Sequence, residues 1–209
     1  MRRCLQQSLS RVVTSIAKIF RGRNYYGRYQ KMYTRDLRAV PSLRLISSIA
    51  QGTVLDVGCG VGWLSRLFGD YVGVDINREA ISIAKKRSKR EFVIADALNL
   101  PFRSQIFDTC ILYDVIEHLS DVNRALLEVR RVSDKVLISC ADFSSYYRFF
   151  TYDETHQKLL EPNELFSMLK NHFTHIRFFR TSGVFMAPRL VNNFLGKYFP
   201  NQIVLSGSL

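Results

Sequence analysis

Gly58, Gly60 and Gly62 stand at alternate positions directly after the apolar run Val54-Leu55-Asp56-Val57, with Cys59 and Val61 between them. Glycines at the end of a buried strand let the backbone turn tightly and approach a ligand that any Cβ would block. The chemistry this permits is the holding of a nucleotide-type cofactor. A dinucleotide fingerprint, G-x-G-x-x-G, needs its third glycine at position 63, where Trp63 stands. Asp56 argues the same way, because a carboxylate beside the turn suits a cationic ligand better than a pyrophosphate. Two more carboxylates close apolar runs. Asp75 ends Tyr71-Val72-Gly73-Val74, nineteen residues after Asp56, and Asp96 ends Glu91-Phe92-Val93-Ile94-Ala95. A carboxylate accepts hydrogen bonds at both oxygens, and Asp75 falls where a doubly wound sheet places its ribose-binding acid.

Such residues work together only if successive strands bring their carboxyl ends to one edge. The hydrophobic pattern predicts strands at 54–57, 71–76, 91–97, 107–113, 135–140, 175–181 and 202–206. Between them, 63–68 reads as helical, Asn77 caps a basic helix over 78–89, and Asp121 caps one whose Ala125, Leu126, Val129 and Val132 share a face. Pro162 opens a helix over 163–171, and 188–198 reads as helical. The alternation implies an α/β fold: a doubly wound, mainly parallel sheet with right-handed crossovers and helices on both faces.

With 209 residues, 47% of them hydrophobic, the chain has enough material for one substantial core. No run approaches the roughly 20 apolar residues of a membrane-spanning helix. Cys4, Cys59, Cys110 and Cys140 lack metal-ligand spacing, and the last three fall in or beside predicted strands, as expected of reduced cysteines in a cytoplasmic protein. The net charge of +12 is unevenly spread: residues 1–35 hold nine basic residues and no acid, leaving +3 for the rest. That balance disfavours a nucleic-acid groove across the fold. Within the arm, Leu5, Leu9, Val12, Ile16 and Ile19 recur at helical spacing up to Gly22. A basic amphipathic helix of this kind docks on its own domain, lies on an anionic membrane through residues 1–22, or directs import into an organelle. The organisation expected is therefore an arm at 1–39 and a domain at 40–209.

Taken in order, these segments resemble the class I S-adenosylmethionine (SAM)-dependent methyltransferases. Residues 54–62 fit the family's first motif, hydrophobic-(D/E)-x-G-x-G-x-G, and Leu98-Asn99-Leu100-Pro101-Phe102 looks like its loop before strand four. Residues 107–119 are similar to the fourth-strand segment of the ubiquinone/menaquinone-biosynthesis-like small-molecule methyltransferases. The resemblance implies seven strands with the last antiparallel, and transfer of a methyl from SAM to an oxygen or carbon of a small molecule, lipid-like ones included. It assigns Asp56, Gly58, Cys59, Gly60 and Gly62 to the amino-acid end of SAM, with Asp56 orienting the ammonium. Asp75 then takes the ribose hydroxyls and Ile76 packs on the adenine. Asp96 accepts from the adenine amino group while the Ala97 N–H donates to the ring. For Asp75 and Asp96 the plainer alternative is a helix cap or a surface charge at a strand end.

Acceptor and methyl are expected to meet at the end of strand four, at Tyr113 and Asp114. Two histidines are candidate proton acceptors, since imidazole titrates near neutral pH. His118 follows Glu117, a pair the family often carries without using it as a base. His156 lies in Thr151-Tyr152-Asp153-Glu154-Thr155-His156, where related enzymes often face a histidine toward the substrate pocket. For each, a loop-fastening role is the alternative. The aromatic stretch 143–152 reads as a lid or as core packing. An RNA methyltransferase and a non-catalytic SAM-binding protein remain open. The end of strand four lacks the Asn/Asp-Pro-Pro-aromatic motif of amino-methylating enzymes, while the basic arm keeps RNA in view.

Overall fold

The computed structural model describes residues 37–142, 160–181 and 202–209. The basic arm, the aromatic stretch 143–152, His156 and the 188–198 segment lie outside the described residues.

Seven strands form one sheet: β1 (Val54–Val57), β2 (Tyr71–Asp75), β3 (Glu91–Ile94), β4 (Phe107–Tyr113), β5 (Ser133–Ala141), β6 (Thr174–Thr181) and β7 (Gln202–Ser208). Their spatial order is β3-β2-β1-β4-β5-β7-β6. Pairing from β3 across to β5 is parallel, and β7 runs antiparallel to both β5 and β6. The expected sheet, with its last strand reversed, is present. The chain builds outward from β1 in one direction through β2 and β3, then crosses to the other side with β4. The crevice above the carboxyl ends of β1 and β4 is thus the topological switch point.

Helices α1 (Pro41–Ile49), α2 (Arg78–Arg87), α3 (Val122–Val132) and α4 (Pro162–Lys170) cover the sheet. One face carries Leu55, Val57, Val74, Cys110, Leu112, Val136 and Ile138, packed in a single cluster with Val122, Leu126 and Val129 of α3 and Leu165 and Leu169 of α4. Side chains alternate across a strand, so the intervening residues face the other way. There Ser42 of α1 meets Tyr113 of β4, with Oγ and the tyrosine hydroxyl 2.9 Å apart.

Both predicted caps are in place. The Asn77 side chain accepts from the N–H groups of Glu79 and Ala80, and that of Asp121 from Arg124. Two local readings are corrected. The 63–68 helix is only a 3-10 turn, Trp63–Arg66, because the Ser65 hydroxyl bonds back to the Gly62 carbonyl at 2.5 Å and the chain must reach β2 at Tyr71. Helix α1 was not expected from the sequence, although Pro41 occupies its first turn and Leu43 and Ile46 are buried at helical spacing.

Candidate functional site

The glycine turn is fastened to β2 by backbone. The N–H groups of Gly58 and Cys59 both donate to the Val74 carbonyl, at 2.8 and 2.9 Å. Gly60 N–H instead reaches Asp75, donating to Oδ2 at 2.8 Å, and Asn77 N–H donates to Oδ1 at 2.8 Å. One carboxylate therefore ties the turn to the start of α2. An ionised carboxylate has about four lone-pair directions, so Asp75 keeps two for a pair of hydroxyls.

The three glycines divide by what a Cβ would meet. All have positive φ: +75° at Gly58, +53° at Gly60 and +76° at Gly62. A Cβ on Gly58 would strike the Val115 side chain, and one on Gly62 would lie 2.6 Å from Cε1 of Phe92 and 2.9 Å from the Ala84 Cβ. A Cβ on Gly60 would meet nothing within 4 Å among the described residues. Gly58 and Gly62 are thus demanded by the protein's own packing. Gly60 borders open space beside Asp75, and next to that space Ile76 is 70% exposed.

Not every residue expected at this mouth reaches it. Asp56 is 1% exposed, and its Oδ2 accepts from the Tyr71 hydroxyl at 2.6 Å. Burial, reinforced by the charge of Asp75 and opposed by the tyrosine bond, pushes its carboxyl up to about 7. Held by Tyr71, Asp56 supports the sheet beneath the turn. The Cys59 thiol is buried against Gly73, and burial raises its pKa far above the usual range. Tyr113 is buried too: its ring sits edge-on to Trp63 and its hydroxyl is shared with Ser42 and Gln202. The reason is common to all three. They lie on or against the face of the sheet opposite α3 and α4, which α1 and α2 cover in turn.

Asp96 is exposed, and its Oδ1 accepts from Leu98 N–H at 2.9 Å. Ala97 follows, half-buried. The loop carrying both is held from α3. Glu128 Oε2 accepts from Leu100 N–H at 2.9 Å, while Arg131 donates to the Phe102 carbonyl at 2.6 Å, the Leu100 carbonyl at 2.9 Å and Glu128 at 2.7 Å. This clamp was missed in the sequence, where its only signal is a Glu and an Arg three apart on a helix. Arg131→Ala leaves those acceptors without their donor and is expected to cost about 1.5–3 kcal/mol, read from the urea midpoint.

At the end of β4, Asp114 is half-buried, and His118 lies in the 3-10 turn Ile116–His118 near enough for its charge to favour the ionised Asp114. Gln202 of β7 and Ser139 of β5, neither singled out in the sequence, both bond the Asp114 carboxylate.

The family described as "Methyltransferase domain" matches residues 55–135, which span the glycine turn, Asp75, Asp96 and β4. That match covers less than half of the chain, and over it the chain is similar to the class I SAM-dependent methyltransferases. It is 35% identical over 97 residues to the demethylmenaquinone methyltransferase of Thermotoga maritima, covering 43% of this chain and 42% of that one. It is 38% identical over 93 residues to the tRNA (carboxymethyluridine(34)-5-O)-methyltransferase of Arabidopsis thaliana, covering 42% of this chain and 23% of that one. This chain spans less than two thirds of the length of the curated relatives it matches. Among solved structures, a SAM-dependent methyltransferase from Archaeoglobus fulgidus has the same fold, with TM-score 0.67, 20% identity and coverage of 88% of this chain and all of that one. The open space at Gly60, the spare lone pairs of Asp75 and exposed Ile76 fit SAM, the cofactor that this similarity implies. Among the described residues, no helix is long and apolar enough to cross a membrane.

Proposed function

We propose that this methyltransferase domain transfers a methyl group from SAM to an oxygen or carbon of a small molecule, lipid-like molecules included. The observation that carries the reading is Gly60: its missing Cβ opens onto space that no atom of the described residues fills, beside a carboxylate already aligned by the turn. SAM supplies a methyl already activated on a sulfonium, so the protein's task is to orient the partners and exclude water. Asp75 orients the ribose, Ile76 offers an apolar surface to the adenine, and the loop of Asp96 and Ala97, fixed by Glu128 and Arg131, borders the ring. Similarity to a demethylmenaquinone methyltransferase supports a small acceptor.

Replacing Asp75 with Ala removes the acceptor pair and is expected to weaken SAM binding by about 1–3 kcal/mol, measured by calorimetric titration. The acceptor class is tested by incubating the protein with SAM tritiated in its methyl group and an extract of the source cells, then separating lipid, small-molecule and RNA fractions. Label in the first two supports the proposal. Label confined to RNA supports the second reading, which the tRNA-modifying relative and the basic end of α2, with Lys85, Lys86 and Arg87, favour.

A further inference from the structure

Asp114, directly after the last residue of β4, sits at φ +53°, the left-handed region that residues other than glycine, asparagine and aspartate seldom enter. Its N–H donates to the Ser139 carbonyl at 2.8 Å. Nε2 of Gln202 donates to Oδ1 at 2.8 Å and to Oδ2 at 3.1 Å, and the Ser139 hydroxyl donates to Oδ1 at 3.4 Å. The next residue, Val115, is the side chain that packs on Gly58. Asp114 therefore stands at the switch point, oriented by two neighbouring strands, with Oδ2 the less occupied of its oxygens.

Beneath it lies a second carboxylate that nothing yet described uses. Glu117 is 2% exposed, and its Oε2 has no hydrogen-bond partner among the described residues. Its other contacts are backbone N–H groups, its own and that of Ala141. Among the described residues, the ionisable groups around the pair are Tyr113 of β4, His118 of the turn, Cys140 of β5 and Asp142 just beyond it. β7 contributes the neutral Gln202, and Asp142 is answered by Arg180 of β6 at 3.2 Å. Burial first, then the charge of Glu117, pushes the Asp114 carboxyl up, while Gln202, Ser139 and His118 hold it down. A residue needed only for the turn has no use for this charge, since asparagine fits the same backbone.

We propose that Asp114 is a catalytic residue of the transfer, its carboxylate taking the proton of an acceptor hydroxyl at Oδ2. The inference rests on the methyltransferase reading above. The acceptor oxygen forms a bond to the methyl carbon, the carbon–sulfur bond breaks with both electrons kept by sulfur, and the acceptor's proton passes to Asp114. The sulfonium becomes a neutral thioether, S-adenosylhomocysteine, and Asp114 later returns the proton to solvent. Glu117 is a positioning residue that acts through Asp114, keeping it basic enough to accept.

The test begins without an acceptor. SAM and S-adenosylhomocysteine differ by the methyl and its positive charge, so their affinity ratio reads an ionising group at the transfer point. Calorimetric titrations from pH 6 to 9 should show wild-type preference for SAM rising about tenfold with pH, as Asp114 ionises a few ångströms from the sulfonium. Asp114→Asn, compatible with the backbone, should make the ratio independent of pH. Glu117→Gln removes a negative neighbour and should move the rise to lower pH; Gln202→Leu removes donors and should move it to higher pH. With tritiated SAM and the small-molecule fraction of a cell extract, Asp114→Asn should lower transfer by about 10²–10⁴-fold while SAM affinity at pH 6 stays within about threefold. Superimposable ratio profiles in all four proteins, or unimpaired transfer by Asp114→Asn, would overturn the role of Asp114. A wild type that binds no SAM overturns the methyltransferase reading beneath it.

Discussion

Gly60→Val is expected to leave a folded protein whose affinity for SAM falls by more than about 100-fold, or roughly 3 kcal/mol. The new side chain enters space that none of the described residues occupies, so the fold bears only the left-handed backbone, about 1–2 kcal/mol. The ligand bears the rest. Gly62→Ala is the complementary case. Its Cβ would press on Phe92 and Ala84, at a φ of +76°, so overpacking and backbone strain together should cost about 2–5 kcal/mol of stability. Urea unfolding and calorimetric titration on both variants separate the two roles: binding lost with stability kept at Gly60, stability lost at Gly62. Equal stability losses with intact SAM binding would show that the open space beside Gly60 is not where the ligand lies.

The second large effect concerns pH. Asp56 is pushed up to about 7 in the fold, chiefly by burial, whereas an unfolded aspartate titrates near about 3.9. Between those values the folded protein binds a proton that the unfolded chain has lost, so stability falls as pH rises. This contribution is complete below about pH 4 and gone above about pH 7, and amounts to on the order of 4 kcal/mol. Burial raises Asp114 and Glu117 as well, with the same sign. Glu128, lowered by Arg131, acts oppositely, but only near and below its ordinary range. The wild type should therefore be less stable at pH 8 than at pH 5. Asp56→Asn keeps an acceptor for the Tyr71 hydroxyl and removes the titration, so its stability should change less over that interval. Parallel profiles for the two proteins, in urea midpoints at pH 5 and 8, would contradict the assignment.

The order of strands, the glycine turn and the two helix caps were legible because each is written locally: an apolar run ending in glycine, or Asn77 and Asp121 just ahead of a periodic segment. The clamp on the Asp96 loop and the triad of Asp114, Ser139 and Gln202 were not. Their members lie 28 residues apart in the case of Leu100 and Glu128, and 88 in the case of Asp114 and Gln202. Only the parallel and antiparallel registers of β4, β5 and β7 bring the triad together. Asp56 shows a subtler limit. Its type and its place before the turn matched a ligand contact, yet pleating directs it into the sheet's covered side, where the Tyr71 hydroxyl, fifteen residues on, meets it. The 63–68 segment failed for want of length: a short link between β1 and β2 closes as a 3-10 turn before a helical ladder forms.

The central claim is that the space beside Gly60 and Asp75 holds SAM. Calorimetric titration of the wild-type protein, with SAM in one series and NAD in another, tests it most directly. The account predicts saturable binding of SAM, weakened by Asp75→Ala, and no heat beyond dilution with NAD. Binding of NAD with none of SAM would contradict it.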